Sequence, residues 1–149
     1  MREILFRGKR TDNGKWVEGE LLHDMQNRPY LYWKTPKELP IVFSDHAIVT
    51  PATLGQYIGL TDKNGKKIFE GDIIKFHKFR YEPDWVGVVG YDYCSYIVTG
   101  RMPLAYEKRI NEEPFYCPFE VALSSIDKAT IKVIGNIHDN PELLKEGRL

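Results

Sequence analysis

The sequence predicts a mainly β protein, arranged as a barrel or roll of about eight strands with at most two short helices. Two Asn-Gly dipeptides, Asn13-Gly14 and Asn64-Gly65, each separate two segments rich in β-branched and aromatic residues. Apolar and polar residues alternate in the last such segment, residues 130–137, as they do on a strand buried on one face. Glycine and proline recur between the segments, where they favour turns.

The first predicted hairpin pairs residues 3–9 with residues 15–22 across Asn13-Gly14. Both residues of an Asn-Gly turn tolerate the positive φ that a tight hairpin turn requires. Residues 29–33 are predicted to form a short strand next. Residues 41–50 are predicted to form another, because they include several β-branched and aromatic side chains.

The second predicted hairpin joins residues 57–60 to residues 67–76 through a turn at residues 61–65. In its second arm, Gly71 permits a bend, and Asp72 can accept backbone N–H groups at that bend. A bend that leads into an amphipathic strand is common in SH3-like barrels. The two hairpins resemble each other, through either an ancestral duplication or convergence on the same turn chemistry, and we favour convergence.

Further strands are predicted in the second half of the chain. Residues 85–91 contain three valines and are expected to form the most buried strand, followed after a turn by a strand at residues 96–98. Residues 99–118 contain scattered glycine, proline and charge, so this segment is predicted to be irregular, with a short helix at residues 104–110.

The C-terminal part of the chain returns to regular structure. Strands are predicted at residues 119–123 and 130–137. Asn140 is a candidate helix N-cap and Pro141 suits the first helical position, so one helical turn is expected at residues 142–144.

The length of 149 residues fits one domain, residues 1–149. An N-terminal hairpin lobe at 1–50 with a central and C-terminal barrel at 51–149 is the alternative within that domain. Two cysteines, Cys94 and Cys117, are too few for a disulfide scaffold, so both are expected as reduced thiols. The N-terminus lacks the apolar stretch of a secretion signal, and we therefore expect a cytoplasmic protein.

The charge balance excludes a general attraction to polyanions. Lysines and arginines number 21, and aspartates and glutamates also number 21. Such a chain has no long-range field that would draw it to nucleic acid or to an anionic membrane, so a nucleic-acid surface must be local. No run approaches the roughly 20 apolar residues that cross a bilayer, so no membrane partner is expected.

No residue pattern predicts an enzyme, a metal site or a cofactor. The four histidines lack the spacing of metal ligands, and the common hydrolase, protease and nucleotide-binding signatures are absent. The carboxylates that two packed hairpins could bring together are interpreted as turn and edge residues, since no histidine or cysteine accompanies them. They are Glu18, Glu20, Glu70 and Asp72.

Basic and aromatic residues interleave between positions 75 and 85. Single-stranded nucleic acid binds such mixtures, because cations neutralise phosphates while aromatic faces stack on bases. The candidate nucleic-acid residues are Lys75, Lys78, Phe79, Arg80, Tyr81 and Trp85. The alternative is an ordinary exposed loop, with Phe76 in the core.

Three stretches, residues 2–22, 56–74 and 134–144, resemble the YopX family of phage and prophage proteins. They contain Arg7-Gly8-Lys9, Glu70-Gly71-Asp72 and a closing Asn140-Pro141 that match that family's motifs. The resemblance implies a phage or prophage gene product of unassigned function with an SH3-like β architecture, made in a bacterial host. It carries over no catalytic residues, and residues 80–118 show no family pattern.

These observations favour a non-catalytic β-barrel binding module that engages a protein partner. This expectation rests on fold analogy, since SH3-like barrels commonly work in this way. The alternative is a single-stranded nucleic-acid binder that uses residues 75–85. The sequence leaves a homo-oligomer open and does not name the partner.

Overall fold

The computed structural model describes residues 3–34, 44–77, 84–92, 94–103 and 116–145. These residues form eleven β-strands, three short 3₁₀ turns and one short α-helix, which confirms a mainly β protein. The chain divides into two compact units, Met1–Gly59 and Leu60–Leu149, called unit 1 and unit 2 below. No helix in the described ranges has the length and apolar character needed to cross a membrane.

Unit 1 is built from antiparallel hairpins. Its strands are β1 (Phe6–Lys9), β2 (Trp16–His23), β3 (Pro29–Lys34), β4 (Ser44–Ile48) and β5 (Gly55–Thr61), which begins in this unit. They pair in the order β4-β3-β2-β1-β5. The predicted first hairpin and the strand at residues 29–33 are therefore confirmed. The predicted strand at 41–50 is confirmed over Ser44–Ile48, and residues 41–43 lie outside the described ranges.

Unit 2 contains β6 (Lys67–Phe69), which follows the second hairpin turn, and a five-stranded antiparallel sheet. The strands of that sheet are β7 (Asp72–Phe76), β8 (Trp85–Asp92), β9 (Ser95–Pro103), β10 (Tyr116–Ala122) and β11 (Lys132–Asn136). Their order is β10-β9-β8-β7-β11. The pairings described form open sheets, so the SH3-like barrel remains a prediction.

The Asn-Gly turns are present, but their conformation differs from the expected one. Gly14 and Gly65 have φ of 68° and 81°, whereas neither preceding asparagine has a positive φ. The expectation of two positive-φ residues was wrong because the loops are longer than two residues. In the second loop, the N–H of Asp62 donates to the carbonyl of Lys66 at 2.8 Å, which leaves three residues between them. A left-handed glycine at the end of such a loop is common.

The segment predicted to be irregular is ordered at both ends. β9 continues to Pro103 and β10 begins at Tyr116, and these two residues are cross-strand partners. Pro118 lies within β10, which is tolerated because β10 is an edge strand of its sheet. The short helix expected at residues 104–110 lies outside the described residues.

Among the strands whose burial is described at every position, the most buried is β7 rather than β8. Ile73, Ile74 and Phe76 are each 0% exposed. β8 alternates instead, with Trp85, Gly87 and Val89 buried and the other two valines half-buried. The prediction for β8 was wrong because three nearby valines in a strand cannot all share one face.

The C-terminal segment largely follows the prediction. β11 is followed by a short helix, α1 (Glu142–Lys145). Asn140 begins this turn through its backbone carbonyl, which accepts the N–H of Leu143 at 3.1 Å. Ile137, the last residue of the strand predicted at 130–137, lies beyond β11 and is 37% exposed.

A glycine substitution tests the turn conformation separately from packing. A Cβ at Gly65 would meet nothing within 4 Å, so Gly65→Ala tests only the cost of the left-handed backbone. We expect this variant to lose about 1–2 kcal/mol of unfolding free energy, measured by urea titration. Gly90→Ala is the matched control, because its Cβ also meets nothing and its φ is ordinary. Equal urea midpoints for the two variants would contradict the turn assignment.

Candidate functional site

A buried carboxylate holds unit 2 together from within. Asp62 is 6% exposed, and its Oδ1 accepts the backbone N–H groups of Asn64 at 2.8 Å and Lys66 at 3.0 Å. Its Oδ2 accepts the N–H of Val133 at 3.0 Å, which ties the second hairpin turn to β11. Burial raises the pKa of Asp62, but these N–H groups and the Lys66 charge together lower it below the usual range.

A second buried carboxylate fixes the bend before β7. Asp72 is 1% exposed, and its Oδ2 accepts the N–H of Phe69 at 2.8 Å. Gly71 has φ of 82°. Its N–H donates to the carbonyl of Val89 at 2.8 Å, and its carbonyl accepts the N–H of Ile137 at 2.9 Å. The predicted bend at Gly71-Asp72 is thus confirmed, and Asp72 serves the backbone there.

The residues after β11 organise their own loop. The side-chain oxygen of Asn136 accepts the N–H groups of His138 and Asp139, both at 3.0 Å. Its amide nitrogen donates to a carboxylate oxygen of Asp139 at 3.0 Å. Asparagine commonly stabilises turns through such local bonds. The polar groups of this stretch therefore act on the loop backbone.

Two of the six candidate nucleic-acid residues lie in the described ranges. Lys75 is half-buried on β7, and its ammonium pairs with the carboxylate of Asp84. Trp85 is 5% exposed, and its ring centroid lies 6.0 Å from that of Phe76. The ring is therefore part of the core and offers no free face for stacking on a base. Lys78, Phe79, Arg80 and Tyr81 lie outside the described residues.

Lys75 lines a cleft of about 270 Å³ in unit 2, which we call the basic cleft. Lys75 and Lys132 are direct cross-strand partners on β7 and β11, so both side chains lie on one face of the sheet. The other lining residues are Lys63, His77, Asp84, Thr130 and Ile134. Among the described residues that line the cleft, three lysines thus oppose one aspartate.

The charges of the basic cleft are unevenly compensated. Asp84 pairs with Lys75, and its other oxygen lies 2.9 Å from Nε2 of His77. Lys63 and Lys132 are exposed and make no ion pair with another described residue. The N–H of Lys63 donates to the carbonyl of Ile131 at 2.9 Å, which fixes this lysine's backbone beside β11.

Unit 1 carries a second recess of about 390 Å³ on the outer face of β3 and β4. Tyr30 and Tyr32 on β3 lie opposite Ile48 and His46 on β4, respectively. The rings of Tyr30 and His46 meet edge to face with centroids 5.8 Å apart. We call this set, with Asp24 and Arg28 beside it, the aromatic recess.

The rim of the aromatic recess is held by the turn between β2 and β3. Oδ1 of Asp24 accepts the N–H groups of Gln26 at 2.9 Å and Arg28 at 2.8 Å. Its Oδ2 lies 2.6 Å from Nε of Arg28. The backbone N–H of Arg28 is the largest cause that lowers the pKa of Asp24. The carboxylate thus fixes the turn and positions the guanidinium at the rim.

The sequence interpretation missed the aromatic recess. The alternation in Pro29-Tyr30-Leu31-Tyr32 was a usable signal, because residues two apart on a strand share a face. Leu31 is 0% exposed on the opposite face, while both tyrosines are half-buried. The contribution of β4 depends on strand register, which the sequence does not state.

Metal and thiol chemistry have few candidates in the part of the chain that the structure describes. That part holds no group of three or more histidine, cysteine, aspartate or glutamate side chains placed to bind a metal ion. Cys94 is an exposed free thiol with φ of 59°. Neither recess includes a cysteine.

These features define an antiparallel β protein whose described residues form a basic cleft, an aromatic recess and a framework with buried carboxylates. The family model of the YopX protein matches residues 5–145, so the chain belongs to the YopX family. The sequence resemblance to that family is confirmed.

Among the solved structures that match is one that is similar over nearly the full length of both chains. It is the crystal structure of protein EF1440 from Enterococcus faecalis, with 23% sequence identity, a TM-score of 0.51, and coverage of 97% of this chain and 99% of that chain. At this identity the similarity supports the fold alone. No curated protein matches the chain.

Replacing Asp62 tests its role in the framework. We expect Asp62→Asn to lose about 2–4 kcal/mol of unfolding free energy at neutral pH, because an amide presents one acceptor oxygen where the carboxylate serves three N–H groups with two. Asp127→Asn is the control, since the side chain of the exposed Asp127 accepts the local N–H of Ala129 and ties no distant strand to its turn. A loss no larger than that of the control would contradict the role.

The lowered pKa of Asp62 also predicts a pH dependence. A carboxylate whose pKa is lower in the folded than in the unfolded state stabilises the fold. This contribution is complete when the pH lies above the pKa of the unfolded state, about 3.9. That contribution is lost as the pH falls through the lower folded value. We expect the unfolding free energy of wild type to fall more steeply below about pH 4 than that of Asp62→Asn. Parallel curves in urea titrations at several pH values would contradict the pKa direction.

Replacing Lys132 tests the repulsion in the basic cleft. Like charges directly opposite each other destabilise a sheet, so Lys132→Gln should raise the unfolding free energy by about 0.2–1 kcal/mol at low salt. This gain should shrink as salt screens the repulsion. Lys128→Gln, at another exposed lysine outside the cleft, should change stability less. Destabilisation by Lys132→Gln would contradict the repulsion.

Proposed function

We propose that the protein is a non-catalytic binding module that engages a partner protein through the aromatic recess. The observation that carries the proposal is the composition of this exposed sheet face. Two tyrosines, a histidine and an isoleucine lie together where a solvent-facing strand pair usually presents charged side chains. Tyrosine is enriched at protein interfaces because it supplies a large contact area at a low entropic cost.

The position of β4 suggests how a partner would bind. β4 is the outer strand of its sheet, and two of its residues, His46 and Ile48, line the recess. An extended segment of the partner could add to the edge of β4 through main-chain hydrogen bonds. One of its apolar side chains would then enter the recess between the tyrosine rings. The Asp24–Arg28 pair would supply polar contacts at the rim.

The strand order of unit 2 supports the SH3-like architecture that the sequence predicts. Four strands follow one another in the sheet, and the fifth, β11, returns to pair with the first, β7. Five antiparallel strands in this arrangement suit an SH3-like roll, and we propose that architecture for unit 2. The family resemblance implies a phage or prophage origin. We therefore propose that the partner is a phage or host protein of the bacterial cytoplasm.

Photo-crosslinking from the recess tests the proposal. A photoreactive phenylalanine analogue would replace His46 in one variant and Tyr91, an exposed residue of unit 2, in the control. After irradiation in bacterial cells, mass spectrometry would identify the crosslinked peptides. We expect the His46 variant to capture an extended, apolar segment of one protein that the Tyr91 variant does not capture.

Substitutions in the recess supply the quantitative part of the test. Tyr30→Ser with Tyr32→Ser should weaken binding of the captured partner at least about tenfold, since buried aromatic anchors often cost more than 1 kcal/mol when removed. Tyr91→Ser should not change the affinity. A crosslink to a second copy of this chain would make β4 a homo-oligomer interface and contradict the proposed partner. Equal affinities of all variants would contradict the proposed surface.

Single-stranded nucleic acid is the second candidate, favoured by the position of Lys75 in the basic cleft. Trp85 is buried and is no longer proposed as a contact. The proposed contacts are the other candidates, Lys75, Lys78, Phe79, Arg80 and Tyr81. A fluorescence anisotropy titration of single-stranded DNA and RNA tests this candidate, with Lys75→Ala as the variant. Phosphate contacts predict an affinity that falls steeply with salt. No binding at low salt and tens of micromolar protein would exclude it.

A further inference from the structure

We infer that the basic cleft of unit 2 is a binding site for a phosphate group, with Lys63 and Lys132 as its direct contacts. The site lies in the other unit from the aromatic recess and does not depend on the partner protein proposed above. It would supply a phosphate contact for the nucleic-acid candidate, but it is defined by side chains outside the stretch at residues 78–83.

The first argument is the pairing of two lysines in the sheet. Lys75 and Lys132 occupy directly opposite positions on β7 and β11. Like charges at such positions cost stability, and uncharged polar residues would fit the half-buried position 75 and the exposed position 132. The next pair along the same two strands, Ile74 and Val133, is apolar and buried, as the fold requires. Asp84 pairs with Lys75, so Lys132 is the member of this pair that an anion explains better than folding does.

The second argument is the convergence of a third lysine on the same cleft. Lys63 comes from the second hairpin turn, far from β11 in sequence. Its backbone is held there by the hydrogen bond to Ile131, and the adjacent Asp62 is held by Val133. The framework thus keeps Lys63 at the cleft. Three cations brought together by separate segments form a local positive potential on a chain of zero net charge.

Asp84 accounts for only one of these charges. Its carboxylate accepts from Lys75 and lies 2.9 Å from the His77 ring nitrogen, so it acts as an internal counter-ion at one end of the cleft. Thr130 holds that end in place, because its hydroxyl oxygen accepts the N–H of His77 at 3.3 Å. The remaining two lysines line the cleft and make no ion pair with another described residue. A phosphate dianion matches their two charges.

The size of the cleft limits the ligand. A volume of about 270 Å³ is below the range of about 300–1,000 Å³ that is usual for drug-sized ligands. The cleft therefore suits a phosphate with a small attached group, against which Ile134 provides an apolar wall. Two sources share this chemistry, namely the backbone of single-stranded nucleic acid and a free phosphate-bearing small molecule.

Titration with inorganic phosphate, followed by amide chemical shifts at constant pH and ionic strength, tests the site. We expect saturable shifts at Lys63, Ile131 and Lys132 with a dissociation constant on the order of 1 mM. Lys63→Ala and Lys132→Ala should each weaken binding about fivefold, since each removes one close charge. Lys128→Ala, at an exposed lysine outside the cleft, is the matched control and should bind as wild type does.

A variant that is expected to strengthen phosphate binding completes the test. Asp84→Asn removes the internal counter-ion and should strengthen phosphate binding about fivefold. This gain cannot arise from misfolding. Phosphate shifts that are absent at about ten times the expected dissociation constant, or that weaken equally in Lys128→Ala and Lys63→Ala, would overturn the inference.

Two further ligands distinguish the sources. Thymidine 5′-monophosphate and a short oligothymidylate would be titrated under the same conditions. Much tighter binding of the oligonucleotide, with loss in Lys63→Ala and Lys132→Ala, would identify the nucleic-acid backbone as the ligand. Binding of the mononucleotide as tight as that of the oligonucleotide would identify a small phosphate-bearing molecule.

Discussion

The architecture of unit 2 depends on one buried carboxylate that bonds to backbone only. Asp62 joins three N–H groups, two from its own turn and one from Val133 on β11, although the turn and β11 are far apart in sequence. Burying an N–H group or a charge without a partner costs free energy. The Asp62 carboxylate therefore requires its three N–H donors, and the donors require the carboxylate. This interaction fixes the second hairpin turn beside β11, and thereby places Lys63 at the cleft that Lys132 also lines.

The stretches that mark the family have a structural role in this chain. Asp72 and Gly71 fix the bend before β7, and Asn136 organises the loop after β11. Polar residues used in this way stabilise the backbone of bends and loops. The surfaces proposed for binding consist of other residues, such as Tyr32 on β3 and Lys132 on β11. Relatives could thus share the framework and bind different ligands.

Local signals in the sequence predicted the hairpins, the bend at Gly71 and the final helical turn, because each depends on a few adjacent residues. Properties that depend on register were not predictable. The Lys75–Lys132 pair joins distant strands, and the burial of Trp85 follows from its packing against Phe76. The interleaved basic and aromatic stretch predicted that Trp85 would stack on a base, but the fold buries this residue in its core.

Amide hydrogen exchange at Val133 tests the central role of Asp62 most directly. In wild type, this N–H should exchange only through global unfolding, since it is bonded to a buried carboxylate. In Asp62→Asn, the exchange of the Val133 amide should become faster than that of the β7 amides by at least about tenfold, because it opens locally. Equal protection of Val133 and β7 in the variant would contradict the account, since β11 would then be held without Asp62.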